Sequence, residues 1–256
     1  MSANEEFLRL VSIMERLRKE CPWDRKQTPY TLRQYILEEA HETVESIDNE
    51  NWDELKKELG DLMLQIVFQA EIAKEENRFS LQEVIQHINE KLIRRHPHVF
   101  GDTQVKDEND VKNNWEQIKV QEENRQSVLE GVPKNLSALL RSQRLQEKAA
   151  NVGFDWSNEK GIWDKIREEI KEIEQASRQN DRHNLENEIG DLLFSIVNLA
   201  RFKQLNAEDA LRKTINKFIA RFQYIERKLS ENNKTISQSN LKEMDRFWEE
   251  SKQEIK

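Results

Sequence analysis

Two pairs of short stretches carry the side chains best able to do chemistry. Glu168-Glu169-Ile170-Lys171-Glu172 is followed, after fifteen residues, by Glu188-Ile189-Gly190-Asp191-Leu192. Earlier in the chain, Glu38-Glu39-Ala40-His41-Glu42 stands at the same distance from Glu58-Leu59-Gly60-Asp61-Leu62, so five acids recur 130 residues apart. Both stretches read as helical. At about 100° per residue, Ile162, Ile166, Ile170 and Ile173 share a narrow arc, with Glu169 on its edge and Glu172 a little further round. On the second helix Glu188 borders the face of Leu185, Ile189, Leu192 and Ile196, and Asp191 follows it. Antiparallel packing of the two faces gathers Glu169, Glu172, Glu188 and Asp191 at one flank of the seam. The first copy offers Glu39, Glu42, Glu58 and Asp61 in the same way.

Carboxylates held together raise one another's pKa unless a cation compensates them. An all-carboxylate set suits a hard ion, Mg²⁺ with Mn²⁺ as a substitute, rather than Zn²⁺. Mg²⁺ keeps several waters and commonly shares its site with substrate phosphates. The plain alternative is solvated surface, since 35% of the residues are charged. A solvated face needs no fixed register, however, and here the register repeats. Gly60 and Gly190 sit mid-helix, where Gly costs roughly 0.8–1.0 kcal/mol relative to Ala. They are expected where something packs close to the backbone, or at a simple helix–helix contact.

Cations and rings recur too. Lys217 and Arg221 lie four apart, as do Lys91 and Arg95; Trp248 and Lys252 match Trp115 and Lys119. Lys and Arg hold phosphate oxygens, and a Trp face carries a base by stacking, worth about 1–3 kcal/mol. Taken singly these are ordinary surface charges and core rings. Metal acids, phosphate cations and a stacking ring in one unit, twice, suit a nucleotide bound through Mg²⁺.

Helices must position these groups. In 256 residues there are only six Gly and four Pro, and apolar residues recur every three or four positions, which predicts an all-α chain. The net charge of −8 argues against nucleic acid as the main partner. One cysteine, Cys21, allows no internal disulfide and suits a reducing compartment. No apolar run approaches the ~20 residues of a membrane span, and the acidic start has no signal-peptide core, so a cytoplasmic protein is expected.

The first opening helix carries Phe7, Leu10, Val11, Met14 and Leu17, and Cys21-Pro22-Trp23-Asp24 stops it. Thr28 or Thr31 caps the next, which runs to about Asn49 through Leu32, Ile36, Val44 and Ile47. Then come helices over Trp52–Glu76, with Leu55, Leu59, Leu62, Ile66 and Val67 inward, over Ser80–Arg95, and over Asp110–Gln126. After Leu129-Glu130-Gly131-Val132-Pro133 the plan repeats, with Val152-Gly153-Phe154-Asp155 in place of Cys21-Pro22-Trp23-Asp24. Two tandem helical-bundle domains are therefore expected, residues 1–128 and 136–256, joined by a linker over 129–135.

These residues resemble the MazG family of nucleoside triphosphate pyrophosphohydrolases. The family pattern Glu-Glu-x-x-Glu, spacer, Glu-x-x-Asp fits both copies, and Cys21-Pro22-Trp23-Asp24, Arg94-Arg95-His96-Pro97-His98-Val99-Phe100 and Gly131-Val132-Pro133 are also MazG-like. The resemblance covers essentially the whole chain in the family's two-domain form. It implies an all-α fold, a homodimer, and Mg²⁺-dependent hydrolysis of nucleoside triphosphates, ATP among them, to monophosphate and pyrophosphate. Sanitation or control of the nucleotide pool would follow. It implies that the C-terminal domain carries the main activity, with Glu169, Glu172, Glu188 and Asp191 as metal ligands. Lys217, Arg221, Trp248 and Lys252 would contact nucleotide, as would the metal-binding Glu169 and Asp191. Lys165 and Glu168 would lie beside the triphosphate. A water that attacks the α-phosphorus would be oriented by Glu168 or Glu172, or bound to metal. Asn184 stands where relatives often have Lys, which removes one phosphate contact.

Two rivals differ in kind. A di-iron carboxylate bundle fits Glu38-x-x-His41, but Lys171 fills the matching position in the second copy. A non-catalytic dimerisation or adaptor module fits either half alone. His96-Pro97-His98 is read as a helix end at Pro97 rather than a metal pair.

Overall fold

The computed structural model describes residues 2–107, 110, 111, 114, 115, 118 and 127–255. Those residues form ten α-helices and two single 3₁₀ turns, with no strand among them. They divide into two compact units, Met1–Val111 and Lys112–Lys256. Residues 129–135 lie in the second unit, where Gly131 turns the chain at φ 81°. The helix expected over Asp110–Gln126 falls largely outside the described residues, as does Lys119.

In the first unit α1 spans Ala3–Glu20, α2 Pro29–Asp48, α3 Trp52–Glu75, α4 Leu81–Arg95 and α5 Pro97–Phe100. Cys21, extended at ψ 121° ahead of Pro22, ends α1. Thr28 caps α2 by accepting from the Thr31 amide, and Ser80 and Glu83 form a reciprocal cap on α4. Met14, Leu32, Val67, Phe68 and Ile72 make the core, where α1, α2 and α3 meet.

In the second unit α6 spans Ala138–Asn151, α7 Glu159–Gln179, α8 Arg182–Phe202, α9 Ala207–Glu231 and α10 Leu241–Glu254. Ile162, Ile166, Ala176 and Val197 are buried along α7 and α8, and a further cluster of Tyr224, Ile225, Leu229 and Phe247 joins α9 to α10.

Each acidic helix pairs with its neighbour through the same turn. The Glu50 amide donates to Ile47 O (3.1 Å) and the Asn51 amide to Ser46 O (3.0 Å). At matching positions the Asn180 amide donates to Ser177 O (3.2 Å) and the Asp181 amide to Ala176 O (3.1 Å). This is a Schellman closure with a left-handed residue, Glu50 (φ 52°) or Asn180 (φ 52°), before the side chain that caps the next helix. The turn fixes how far α3 slides on α2 and α8 on α7, and so sets the register of the acids. Left-handed backbone is unfavourable for Glu and better tolerated by Asn. Glu50→Asn is therefore expected to stabilise the protein by about 0.5–1 kcal/mol, read as a higher urea midpoint at constant m. An unchanged midpoint would show that Glu50 carries no strain.

Several residues read as inward face outward. Leu59 and Ile66 on α3 are 50% and 55% exposed, and Ile36, Ile47, Ile170, Ile189 and Ile196 are likewise exposed. A hairpin of two helices buries the side turned to its own bundle, and within one chain little covers the other side. Nor, among the described residues, does anything outside their own helix backbone approach Gly60 or Gly190: a Cβ on either would meet no such atom within 4 Å. Among the described residues, neither the close packing nor the helix–helix contact expected at these glycines is present.

Candidate functional site

On α7, Glu169 follows Ile162 and Ile166 on the buried face, and it is itself only 1% exposed. A buried carboxylate needs a partner. Lys165, one turn earlier, supplies it: its Nζ lies 2.7 Å from a Glu169 oxygen and 2.9 Å from one of Glu168. These two carboxylates hold the Lys165 ammonium well above its usual range, with Glu169 the larger influence.

Across the seam, α8 presents Glu188. Glu169, Glu172 and Glu188 each offer an oxygen within 4.8 Å of the others. Asp191 is exposed and stands outside this trio. The Glu172 carboxyl is pushed up, first by desolvation and then by the charges of Glu188 and Glu169. Glu168 is exposed on the outer side of α7, held by Lys165.

The first unit builds the same feature from a different three. Glu39, Glu58 and Asp61 bring oxygens within 4.8 Å of one another. Glu39 is pushed up by desolvation, then by Asp61 and Glu42; Glu58 is pushed up by desolvation, then by Glu42 and Glu54. Glu42 lies outside the trio, though its charge acts on two of the members. The position of Lys165 is taken by Tyr35, so this cluster has no matching cation. Neither trio includes a histidine: His41 of the Glu38-x-x-His41 spacing is exposed and belongs to neither. Such an oxygen-only set fits a hard divalent cation.

Lys217, Arg221, Trp248 and Lys252 belong to α9 and α10. The Arg221 guanidinium stands 5.8 Å from the Trp248 ring centre, Nη2 donates to Ile255 O (2.9 Å), and Nε is buried without a partner. Trp248 also packs on Phe218 at 5.4 Å. Lys217 is exposed, and Lys252 pairs with Glu249 at 2.5 Å. Among the described residues, no hydrogen bond, ion pair or ring contact joins these four to the acids. In the first unit the matching Arg95 is buried, and Lys91 lies one turn before it on α4. The Asn184 backbone N–H donates to Oδ1 of Asp181, the cap of α8 (3.0 Å). α4 ends at Arg95, and Pro97 opens the short α5; the His96 and His98 rings lie 5.7 Å apart.

The paired Schellman turns went unread in the sequence. Their signal was present in Asn51 and Asp181, cap residues at matching positions ahead of α3 and α8.

Comparison with known proteins bears on this arrangement. The sequence pattern of the MazG nucleotide pyrophosphohydrolase domain matches residues 27–100 and 158–225, one segment in each unit. The nucleoside triphosphate pyrophosphohydrolase/pyrophosphatase MazG of Thermotoga maritima is 45% identical over 250 residues, 96% of this chain and 95% of its own. The nucleoside triphosphate pyrophosphohydrolase of Escherichia coli K12 is 42% identical over 254 residues, 96% of this chain and 97% of its own. An uncharacterised Bacillus subtilis protein, YabN, is 46% identical over 253 residues, 97% of this chain but 52% of its own length.

Proposed function

The chain belongs to the MazG nucleotide pyrophosphohydrolase family, and from that premise we propose that it hydrolyses nucleoside triphosphates to nucleoside monophosphate and pyrophosphate at the carboxylates of α7 and α8. The observation that carries this reading is the trio Glu169, Glu172 and Glu188, three acids drawn within 4.8 Å and answered by one lysine. Glu169, Glu172 and Glu188, together with the exposed Asp191, would hold Mg²⁺, or Mn²⁺ in its place. Bound there, the ion supplies neutralisation of the triphosphate charge. The proposed domains are residues 1–128 and 136–256, joined over 129–135, with the second as the main catalytic one.

The chain's own groups do the rest. Lys165 holds Glu168 and Glu169 in place beside the triphosphate. Glu168 and Glu172 are the two candidates for orienting the attacking water through a carboxylate oxygen. Of the two, Glu172 stands in the trio with Glu169 and Glu188, and Glu168 stands outside it, tied to Lys165. Lys217, Arg221, Trp248 and Lys252 serve nucleotide binding from α9 and α10. Phosphoryl transfer rests on positioning and charge, so Cys21 and the hydroxyls need play no covalent part.

We propose further that the protein works as a cytoplasmic homodimer. The bare apolar faces of Leu59, Met63 and Ile66 on α3 and of Ile189, Leu193 and Ile196 on α8 support this, with side-chain-free Gly60 and Gly190 beside them. Sedimentation at twice the chain mass is the expected result, and a monomer at micromolar concentration would refute it. No described helix is long and apolar enough to cross a membrane.

The reaction is tested by its products. Each triphosphate is supplied with Mg²⁺ to the intact chain and to residues 132–256. Pyrophosphate and monophosphate are expected from both, whereas release of orthophosphate would refute attack at the α-phosphorus. If the C-terminal piece binds neither Mg²⁺ nor nucleotide, the assignment of the main site to the second copy fails.

A further inference from the structure

The two acid clusters differ by one charge. In the second unit Lys165 Nζ lies 2.7 Å from a Glu169 oxygen and 2.9 Å from one of Glu168. The Glu169 side chain is 2% exposed and that of Lys165 40%. Among the described residues, no other cation forms an ion pair with Glu169, Glu172 or Glu188.

In the first unit Tyr35 stands one turn before Glu39. Its ring serves packing. It meets the edge of Trp23 at 6.2 Å and lies against the cluster of Met14, Leu32, Val67, Phe68 and Ile72. Lys57, next to Glu58, pairs with Glu54 instead (2.7 Å). No ion pair among the described residues reaches Glu39, Glu58 or Asp61. Yet these three also bring oxygens within 4.8 Å of one another. Gathering the acids therefore does not require a lysine.

Burial is what distinguishes the second copy. Glu39 is only partly buried, whereas Glu169 is enclosed. An enclosed carboxylate is costly without an opposite charge beside it. Lys165 supplies that charge from the same helix, on a flexible and part-exposed stem. The oxygens it holds are the ones a divalent ion would need. An ammonium bound to a carboxylate occupies part of its lone-pair capacity and repels any second cation brought to the same group.

We propose that Lys165 is a resident cation that competes with the divalent ion for Glu169. It offsets the buried carboxylate while metal is absent, and it must give way, wholly or in part, when metal enters. The second copy then takes up metal more weakly than its three acids alone would. This rests on the acids holding metal, as proposed above. A lysine that only oriented Glu169 would act in the opposite sense. Removing a group that orients a metal ligand lowers metal affinity, typically about 10- to 100-fold.

The test is Mn²⁺ binding to the full chain without nucleotide, read from the electron paramagnetic resonance signal of the free ion. Lys165→Met is expected to bind the ion about tenfold tighter than the native chain at one site per chain. Lys165→Arg, which keeps the charge, is expected to bind it like the native chain. Adding Glu172→Gln to Lys165→Met is expected to abolish the gain, which locates it at the trio. In EDTA, Lys165→Met is expected to melt below the native chain and to recover the difference in saturating Mn²⁺. Lys165→Gln is the second neutral variant should Lys165→Met not fold, since its amide still donates to Glu169. Equal or weaker Mn²⁺ binding by the neutral variants would overturn the competition and leave metal at the acids intact. A gain that survives Glu172→Gln would overturn it as well. If neither the native chain nor any variant binds Mn²⁺ at about 10 mM, metal binding by the acids falls too.

Discussion

Glu172→Gln is expected to lower kcat/KM for triphosphate hydrolysis by at least about a hundredfold, because the residue is proposed as a metal ligand and as a candidate for orienting the attacking water. Changing a group that only supports a metal ligand typically costs 10- to 100-fold, so the loss of a direct ligand sets a higher floor. The substitution removes one charge from a trio whose oxygens lie within 4.8 Å. Without metal, that relieves repulsion, so the folded protein should be no less stable than the native chain. This is the diagnostic contrast: activity falls while the melting temperature in EDTA holds or rises. A structural residue would lose both. Glu42→Gln in the first copy is expected to cost far less. Glu42 stands outside its trio, and that cluster has Tyr35 where Lys165 would be. Equal losses from the two variants would show that the two copies share the work.

The second large effect is linked to pH. Glu172 in one unit and Glu39 and Glu58 in the other have carboxyls raised above the ordinary value, by desolvation first and neighbouring acids next. A carboxyl raised in the folded state favours folding while protonated. Its contribution is complete below the unfolded pKa and is lost as pH climbs through the raised folded value. The metal-free protein should therefore lose stability from these groups as pH rises above about 4.5. A divalent cation acts in the opposite sense, since it binds the ionised acids and displaces their protons. Saturating Mg²⁺ or Mn²⁺ is expected to raise the melting temperature by about 5–10 °C near pH 7.5, and by much less near pH 5. Calorimetry with and without EDTA at the two pH values reads this directly. A metal increment that does not grow with pH would mean that the ion binds elsewhere than at the acids.

The helices themselves were legible in the sequence because their signals are local. Thr28 before Pro29, Ser80 before Glu83, and the stop at Cys21-Pro22 each act within a turn, and the structure places helix ends at all three. The repeated acids were legible for a similar reason, since spacing along one helix fixes which side chains share a flank. The exposed faces were not. Ile66 and Ile189 obey the same periodicity as Val67 and Val197, yet the first pair is exposed and the second buried. An apolar stripe states that a face avoids water. It does not state whether the cover comes from the same chain.

The sequence alone determined an all-helical chain built twice, with acids in one register on two neighbouring helices of each copy. Periodicity, capping and repetition are properties of neighbours along the chain, so they need no fold to be read. Only the tertiary structure decided which three acids of each copy meet, with Asp191 left outside one trio and Glu42 outside the other. It also decided that Arg18 and Phe68 fill the first unit where Ala149 and Asn198, at matching positions, line an open cavity of the second. Both outcomes depend on side chains far apart in sequence competing for one small volume. That contest is settled by how the helices roll and slide against one another.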